Sequence, residues 1–404
     1  MMMNDFFDIP EKDPQNTIIK VEHLTKLYGA NKQAAMKLIK EGAGKEDVQK
    51  KTGVTVAVND ASFEVQRGEI FVLIGLSGSG KSTVIRCLNM LNRPTYGNIF
   101  FEGKNIAEYD AKQLLEYRRN KISMVFQNFG LMSHRDVLGN VAYGLEVKGV
   151  SKSEREKKAM EMIAMVGLDG WEDKKIASLS GGMRQRVGIA RALTNEPDVL
   201  LMDEPFSALD PLVRRDMQFE LLSIQQRLNK TVVFITHDIN EAFKLGSTVG
   251  IMRDGKIIQI DTPERMSAFP KDEYVSEFIN SADKSKIFSA KHIMDTPSCL
   301  IHLKDSINHA LNEMRINGVS SAFVIDDKMK FVGLLPLEQA ISARAKGSDI
   351  TSAVIYDVPT TNGDTQVSDL MPIAAHTKFP IAVVDENGRL EGIVTKAAVL
   401  SSIT

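Results

Sequence analysis

Two cysteines, Cys87 and Cys299, are all that the 404 residues contain. They lie far apart and in no metal-ligand spacing, which argues against a disulfide framework and makes a reducing compartment the default. Long hydrophobic runs are missing too: no apolar stretch approaches the ~20 residues of a membrane span. The N-terminus carries Asp5, Asp8 and Glu11 where a secretory leader would be basic. The expectation is a protein made and kept in the cytosol that meets a membrane only through a partner. Charge of one sign is lacking as well, the formal net charge being -2, so nothing global favours nucleic acid as a partner. No strong polybasic block offers a direct grip on lipid. What remains, 43% hydrophobic and 25% charged residues, is ordinary for a globular chain long enough for two or three domains.

Against this background two glycine-rich segments stand out. Gly75-Leu76-Ser77-Gly78-Ser79-Gly80-Lys81-Ser82 fits G-x-x-x-x-G-K-[ST] and follows the apolar run 70–74, as a buried strand feeding a tight turn and a helix requires. Backbone amides and the helix N-terminus of such a loop cradle phosphates. Lys81 would reach the β and γ phosphates of ATP, and the Ser82 hydroxyl would take a place on Mg²⁺; Thr83 completes the set of candidate nucleotide contacts. About a hundred residues later the chain reads Leu179-Ser180-Gly181-Gly182-Met183-Arg184-Gln185. Between 199 and 204 an apolar strand ends in Asp203-Glu204. Asp203 suits the support of Mg²⁺, and Glu204 the orientation or deprotonation of an attacking water.

The rest of the chain reads as α/β with helices covering a central, largely parallel sheet. Strands are expected at 17–28, 54–65, 70–74, 98–101, 122–126, 199–202 and 232–235. A helical hairpin, 31–42 and 45–51, interrupts the first two. Helices follow at 83–91 and 111–119, and residues 131–178 form a mostly helical subdomain, with Ser151 capping a helix over 154–166. Near residue 280 the chain turns polar, a linker placed at 281–289. Beyond it lies a weak repeat: Ala322-Phe323-Val324-Ile325-Asp326-Asp327 matches Ile381-Ala382-Val383-Val384-Asp385-Glu386, and Gly333 matches Gly392 at the same offset. Each copy, 290–345 and 346–404, is too small to bury a core alone, so the two should pack as a pair.

In order and spacing these motifs resemble those of ATP-binding-cassette (ABC) ATPases, over roughly residues 17–280. Residues 179–185 are similar to that family's signature motif and Ser207-Ala208-Leu209-Asp210 to its D-loop; His237 in Thr236-His237-Asp238 matches the switch histidine and Gln127 the Q-loop glutamine. Tyr28 sits where an aromatic ring commonly stacks on adenine. The resemblance implies a P-loop NTPase domain (1–280) followed by a tandem CBS module of α+β type. It gives Glu204, His237 and Gln127 to catalysis, and Tyr28, Gly75, Ser77 to Thr83, Ser180, Gly181, Gly182, Gln185 and Asp210 to the nucleotide. Ser82, Gln127 and Asp203 go to the metal. In this family the signature of one copy meets the ATP held by another, so a homodimer is implied.

With one cassette, no coiled-coil insertion and a helical subdomain able to dock a membrane subunit, the chain resembles the ATPase of a bacterial importer. The insertion over 30–55 and the stretches 75–79 and 179–186 resemble those of glycine betaine and proline betaine importer ATPases. The implied partner is a permease, fused to or accompanied by a betaine-binding protein, with this subunit peripheral on the cytoplasmic face. The rival readings are a CBS-centred regulator whose cassette is a slow switch, disfavoured by intact Glu204 and His237, and a ribosome- or nucleic-acid-associated ATPase, disfavoured by the lack of a second cassette or basic tail. CBS pairs often grip adenosyl ribose with a Thr or Ser and an Asp three residues on. Thr395-Lys396-Ala397-Ala398 lacks that Asp, and Pro336 replaces the first hydroxyl. Simple AMP or ATP binding is therefore in doubt; two readings stay open, a dimerisation module without ligand and, by resemblance to related osmolyte importers, a dimerising pair that holds cyclic di-AMP, with Ile355, Val358 and Thr360 as cleft candidates.

Overall fold

The computed structural model describes residues 14–280, 288–377 and 379–403. The acidic N-terminal residues and linker residues 281–287 lie outside them. The chain divides after residue 281 into two compact units.

A six-stranded sheet forms the centre of the first unit, in the order Lys256–Asp261, Thr248–Arg253, Ile70–Ile74, Thr231–Thr236, Val199–Asp203, Ile122–Val125. The last five strands of this order run parallel to one another, and the first pair is an antiparallel hairpin. Every residue of Ile70–Ile74, Val199–Asp203 and Thr231–Thr236 is buried, because helices cover both faces of a parallel sheet. A four-stranded antiparallel sheet, Thr55–Gln66, Thr17–Tyr28, Tyr96–Phe101 and Lys104–Asn105, packs into the same core through Phe63 and Phe71, whose rings stack 5.0 Å apart.

Several boundaries differ from those expected. The helix after the glycine-rich loop runs Lys81–Leu88, three residues short of Leu91, because Met90 turns the backbone left-handed at φ +57°. The inserted hairpin is Lys32–Lys40 and Lys45–Thr52, with Ala35 and Val48 buried against Leu27, Val54 and Val56. Residues 131–178 hold Val137–Val141, Tyr143–Val147 and Lys152–Met165. Ser151 caps the last of these, its hydroxyl accepting from the Glu154 amide. The hairpin of Thr248–Arg253 and Lys256–Asp261 escaped the sequence-based expectations, although its Asp254-Gly255 link is a strong turn signal. No helix among the described residues is long and apolar enough to cross a membrane.

The second unit holds two three-stranded sheets, Leu300–His302, Ser321–Ile325, Phe331–Pro336 and Thr360–Thr361, Ile381–Val384, Leu390–Val394. The halves exchange their lead-in segments. Asp295, ahead of the first repeat, makes a two-bond bridge to Ile393 in the second (2.9 and 2.9 Å), and Ile355, ahead of the second, makes one to Leu334 in the first (2.8 and 2.9 Å). A shared apolar cluster of Phe323, Leu334, Val358, Ala382 and Ile393 lies between them. The repeats share their turn chemistry too: Asp326 accepts from the amides of Lys328 and Lys330, and Asp385 from those of Asn387 and Arg389. These amide bonds hold both carboxyls below the usual aspartate value.

Candidate active site

Four adjacent parallel strands deliver the chemistry to one edge. At their carboxyl ends come, in sheet order, the loop 75–82 after Ile70–Ile74, His237 after Thr231–Thr236, Glu204 after Val199–Asp203 and Gln127 after Ile122–Val125. Open α/β sheets bind ligands at this edge.

In the loop, Gly75 and Gly80 are enclosed: a Cβ on Gly75 would stand 2.2 Å from the Met252 carbonyl oxygen and one on Gly80 2.3 Å from that of Ala57. Leu76, Ser77 and Gly78 are exposed. Ser79 Oγ is buried with no partner among the described residues, and Thr83 continues the helix, its amide bonded to the Gly80 carbonyl at 3.0 Å. The Lys81 ammonium donates to the carbonyls of Gly75 (2.6 Å) and Leu76 (3.2 Å). Burial pulls it below the usual lysine value, opposed by the Glu204 and Asp203 carboxylates. A cradle open only to glycine, an unpartnered hydroxyl and a buried ammonium fit a polyphosphate.

Ser82 Oγ donates to Asp203 Oδ1 at 3.0 Å. This hydroxyl and carboxylate are the kind of oxygen donors that Mg²⁺ takes, with phosphate and water supplying the remainder. Held by Ser82 and Asp203, the ion would offset the charge of a bound polyphosphate. Asp203 is 1% exposed, and its other oxygen lies 3.2 Å from Arg86 Nη2.

Glu204 is the junction of the site. Its Oε2 lies 3.3 Å from Gln127 Nε2 and 3.2 Å from His237 Nδ1. The residue adopts φ +46°, an uncommon conformation for a side chain of this size. Its amide bonds to Ile235 O (3.1 Å) and its carbonyl accepts from Ser207 Oγ (3.0 Å), which together hold the carboxylate at the strand end. Both Gln127 and His237 are exposed, leaving that carboxylate reachable from solvent.

The remaining candidates lie apart from this junction. Ser180 caps the helix Gly181–Leu193, its hydroxyl accepting from the Met183 amide at 3.3 Å, and Ser180 and Gly181 are exposed. Gly182 is buried against Val213. Gln185 shares that inner face three residues on and is 0% exposed, both its amide atoms buried without a partner among the described residues, so its side chain faces the interior of its own chain. Asp210 caps Pro211–Leu228 by accepting from the Val213 amide at 3.1 Å. Tyr28 is 41% exposed, with its hydroxyl on Asn92 Nδ2 (2.9 Å) and Lys26 Nζ 5.1 Å from its ring centre. In the second unit, Ile355 and Val358 line a cavity of about 460 Å³ with Phe379 and His376. Thr360 is exposed on its short strand and is not among that cavity's lining residues.

The ABC transporter family model matches residues 58–207, and the CBS domain model matches 290–346 and 348–404. The glycine betaine/carnitine transport ATP-binding protein GbuA of Listeria monocytogenes is 48% identical over 96% of this chain and 97% of its own length. The glycine betaine transport ATP-binding protein OpuAA of Bacillus subtilis is 45% identical over 95% and 92%. The chain belongs to the ABC transporter family. A solved dimeric ATP-binding cassette carrying ADP and Pi matches with TM-score 0.52 and 31% identity over 61% of this chain and 98% of that one. As an ABC ATPase the chain hydrolyses ATP with Mg²⁺, and its fold is that of a P-loop cassette followed by paired CBS domains.

Two contributors to the ABC site were missed in the sequence. Arg86 follows Ser82 by one helical turn, so helical spacing puts it on the face of Ser82, and the fold brings that face to Asp203. Glu241 is buried: its Oε2 accepts from Thr236 Oγ1 (2.7 Å) and its Oε1 from Gln218 Nε2 (3.2 Å). It thereby ties the strand ahead of His237 to the helix that Asp210 caps. Burial raises its carboxyl above the usual glutamate value, with the Thr236 bond opposing.

Proposed function

We propose that this ATPase energises import of glycine betaine or a related quaternary amine. The observation that carries the ATPase roles is the Glu204 carboxylate, held between Gln127 and His237 beside the phosphate loop. Glu204 activates water; Gln127 and His237 orient it and report the γ-phosphate. Lys81, Ser82 and Asp203 hold the phosphates and the ion, and Tyr28 packs on adenine. The transported substrate is taken from the names of the relatives, which favour this reading over a CBS-centred regulator.

Two copies act together, the exposed Ser180 and Gly181 at the start of one signature helix completing the ATP site of the other. A permease is the second partner, fused to or served by a betaine-binding protein, which places this subunit on the cytoplasmic face of the cell membrane. Its docking surface is a hollow of about 390 Å³ between the sheet and the helical subdomain. Leu91, Phe126, Tyr143 and Val147 stand exposed in its lining, an apolar patch suited to a protein partner. In liposomes with the permease, betaine is expected to stimulate hydrolysis by this chain severalfold. Hydrolysis indifferent to betaine would overturn the substrate and leave the ATPase.

The CBS pair regulates by taking cyclic di-AMP in the cavity lined by Ile355 and Val358, with Thr360 at its margin. Calorimetry of the full chain with cyclic di-AMP should show saturable heat that Val358→Glu removes. Absence of heat from the wild type would discard this ligand.

A further inference from the structure

Lys45 opens the second helix of the inserted hairpin, and its ammonium donates to the Gly78 carbonyl at 3.0 Å. That carbonyl belongs to the loop 75–82. The hairpin is firmly seated, since Ala35 and Val48 are fully buried against the flanking strands, so packing fixes the Lys45 backbone over the loop. Its acidic neighbour Glu46 faces Lys50 instead, at 4.0 Å. A cavity of about 710 Å³, lined by Lys45, Asp47, Asn59, Asp254 and Lys256 among others, leaves the side chain room to change rotamer.

Lys45 and Lys81 thus share one posture. Each ammonium rests on neutral carbonyls of the same loop, Gly78 for one and Gly75 with Leu76 for the other. A carbonyl satisfies a hydrogen bond without neutralising the cation, so an arriving polyphosphate offers both lysines a better partner. We propose that Lys45 is a second lysine of the ATP site, delivered by the insertion, which exchanges the Gly78 carbonyl for the polyphosphate and tightens binding. This rests on the assignment of residues 75–82 as the phosphate loop.

Equilibrium binding of MgATP to the full chain separates charge from hydrogen bonding. Lys45→Gln keeps a donor for Gly78 and loses the cation; Lys45→Arg keeps both. The glutamine variant should weaken binding about fivefold at low salt, the size of one partly exposed ion pair, and the arginine variant should restore it. The deficit should shrink as salt rises, because screening removes only the charge term. Wild-type affinity in Lys45→Gln, or a deficit that ignores salt, would overturn the proposal. Lys81→Ala is the control: if it loses ATP while Lys45→Gln does not, only the Lys45 role falls. If Lys81→Ala binds normally, the loop assignment falls and takes this proposal with it.

Discussion

Glu204→Gln is expected to lower steady-state ATP hydrolysis by about a hundredfold or more, the loss that follows removal of a well-placed general base, while ATP binding persists. Glutamine matches the size of glutamate, keeps an oxygen for the Gln127 amide and cannot take a proton from water. The neighbouring Ser82, Asp203 and Lys81 are untouched, so nucleotide still enters. The product of these effects is a dimer that closes on ATP and stays closed. Phosphate release measures the first effect, and size exclusion with and without MgATP measures the second. Undiminished hydrolysis would remove Glu204 from its role.

Gly80→Ala should cripple the same site through its backbone. Gly80 sits at φ +109°, where an L side chain costs about 1–3 kcal/mol, and the added Cβ meets backbone at 2.3 Å, the Ala57 carbonyl oxygen. Overpacking adds about 1–3 kcal/mol more. At about 3 kcal/mol in total, the melting midpoint of the first unit should fall by roughly 6–12 °C. Relief requires the loop to move off Ala57, which takes the amides of residues 76–81 out of register with a phosphate, so ATP binding should be lost even at temperatures where the variant remains folded. Calorimetric unfolding and nucleotide titration report the two losses. A variant that melts and binds like the wild type would show that the loop is not held where its contacts place it.

The sheet and the candidate residues along its edge are legible because their signals are local. Runs such as Ile70–Ile74 and Val199–Asp203 are buried on every residue and apolar up to Asp203, and each leads directly into candidate site residues. The Ser151 cap was legible from a single hydroxyl before a charged helix. What escaped was long-range or needed side-chain direction. Met90 gives no sequence sign of a left-handed turn, so the end of the helix Lys81–Leu88 was overrun. Gln185 was grouped with Ser180 by motif, yet helical spacing carries it to the inner face with Gly182. Lys45 touches Gly78 across 33 positions, and Glu241 joins Thr236 to Gln218 in the folded chain; neither relation is encoded in any short window.

The exchange of lead-in segments between the CBS halves makes the module indivisible. A chain ending after the first repeat would leave Gly333 and Leu334 without Ile355 and would leave Asp295 without Ile393, exposing the Phe323 face and an unpaired strand edge of the kind that templates aggregation. Shortening of this protein therefore has two stable outcomes, the cassette alone or the cassette with both repeats, and nonsense changes between residues 346 and 394 should behave as losses of the whole protein.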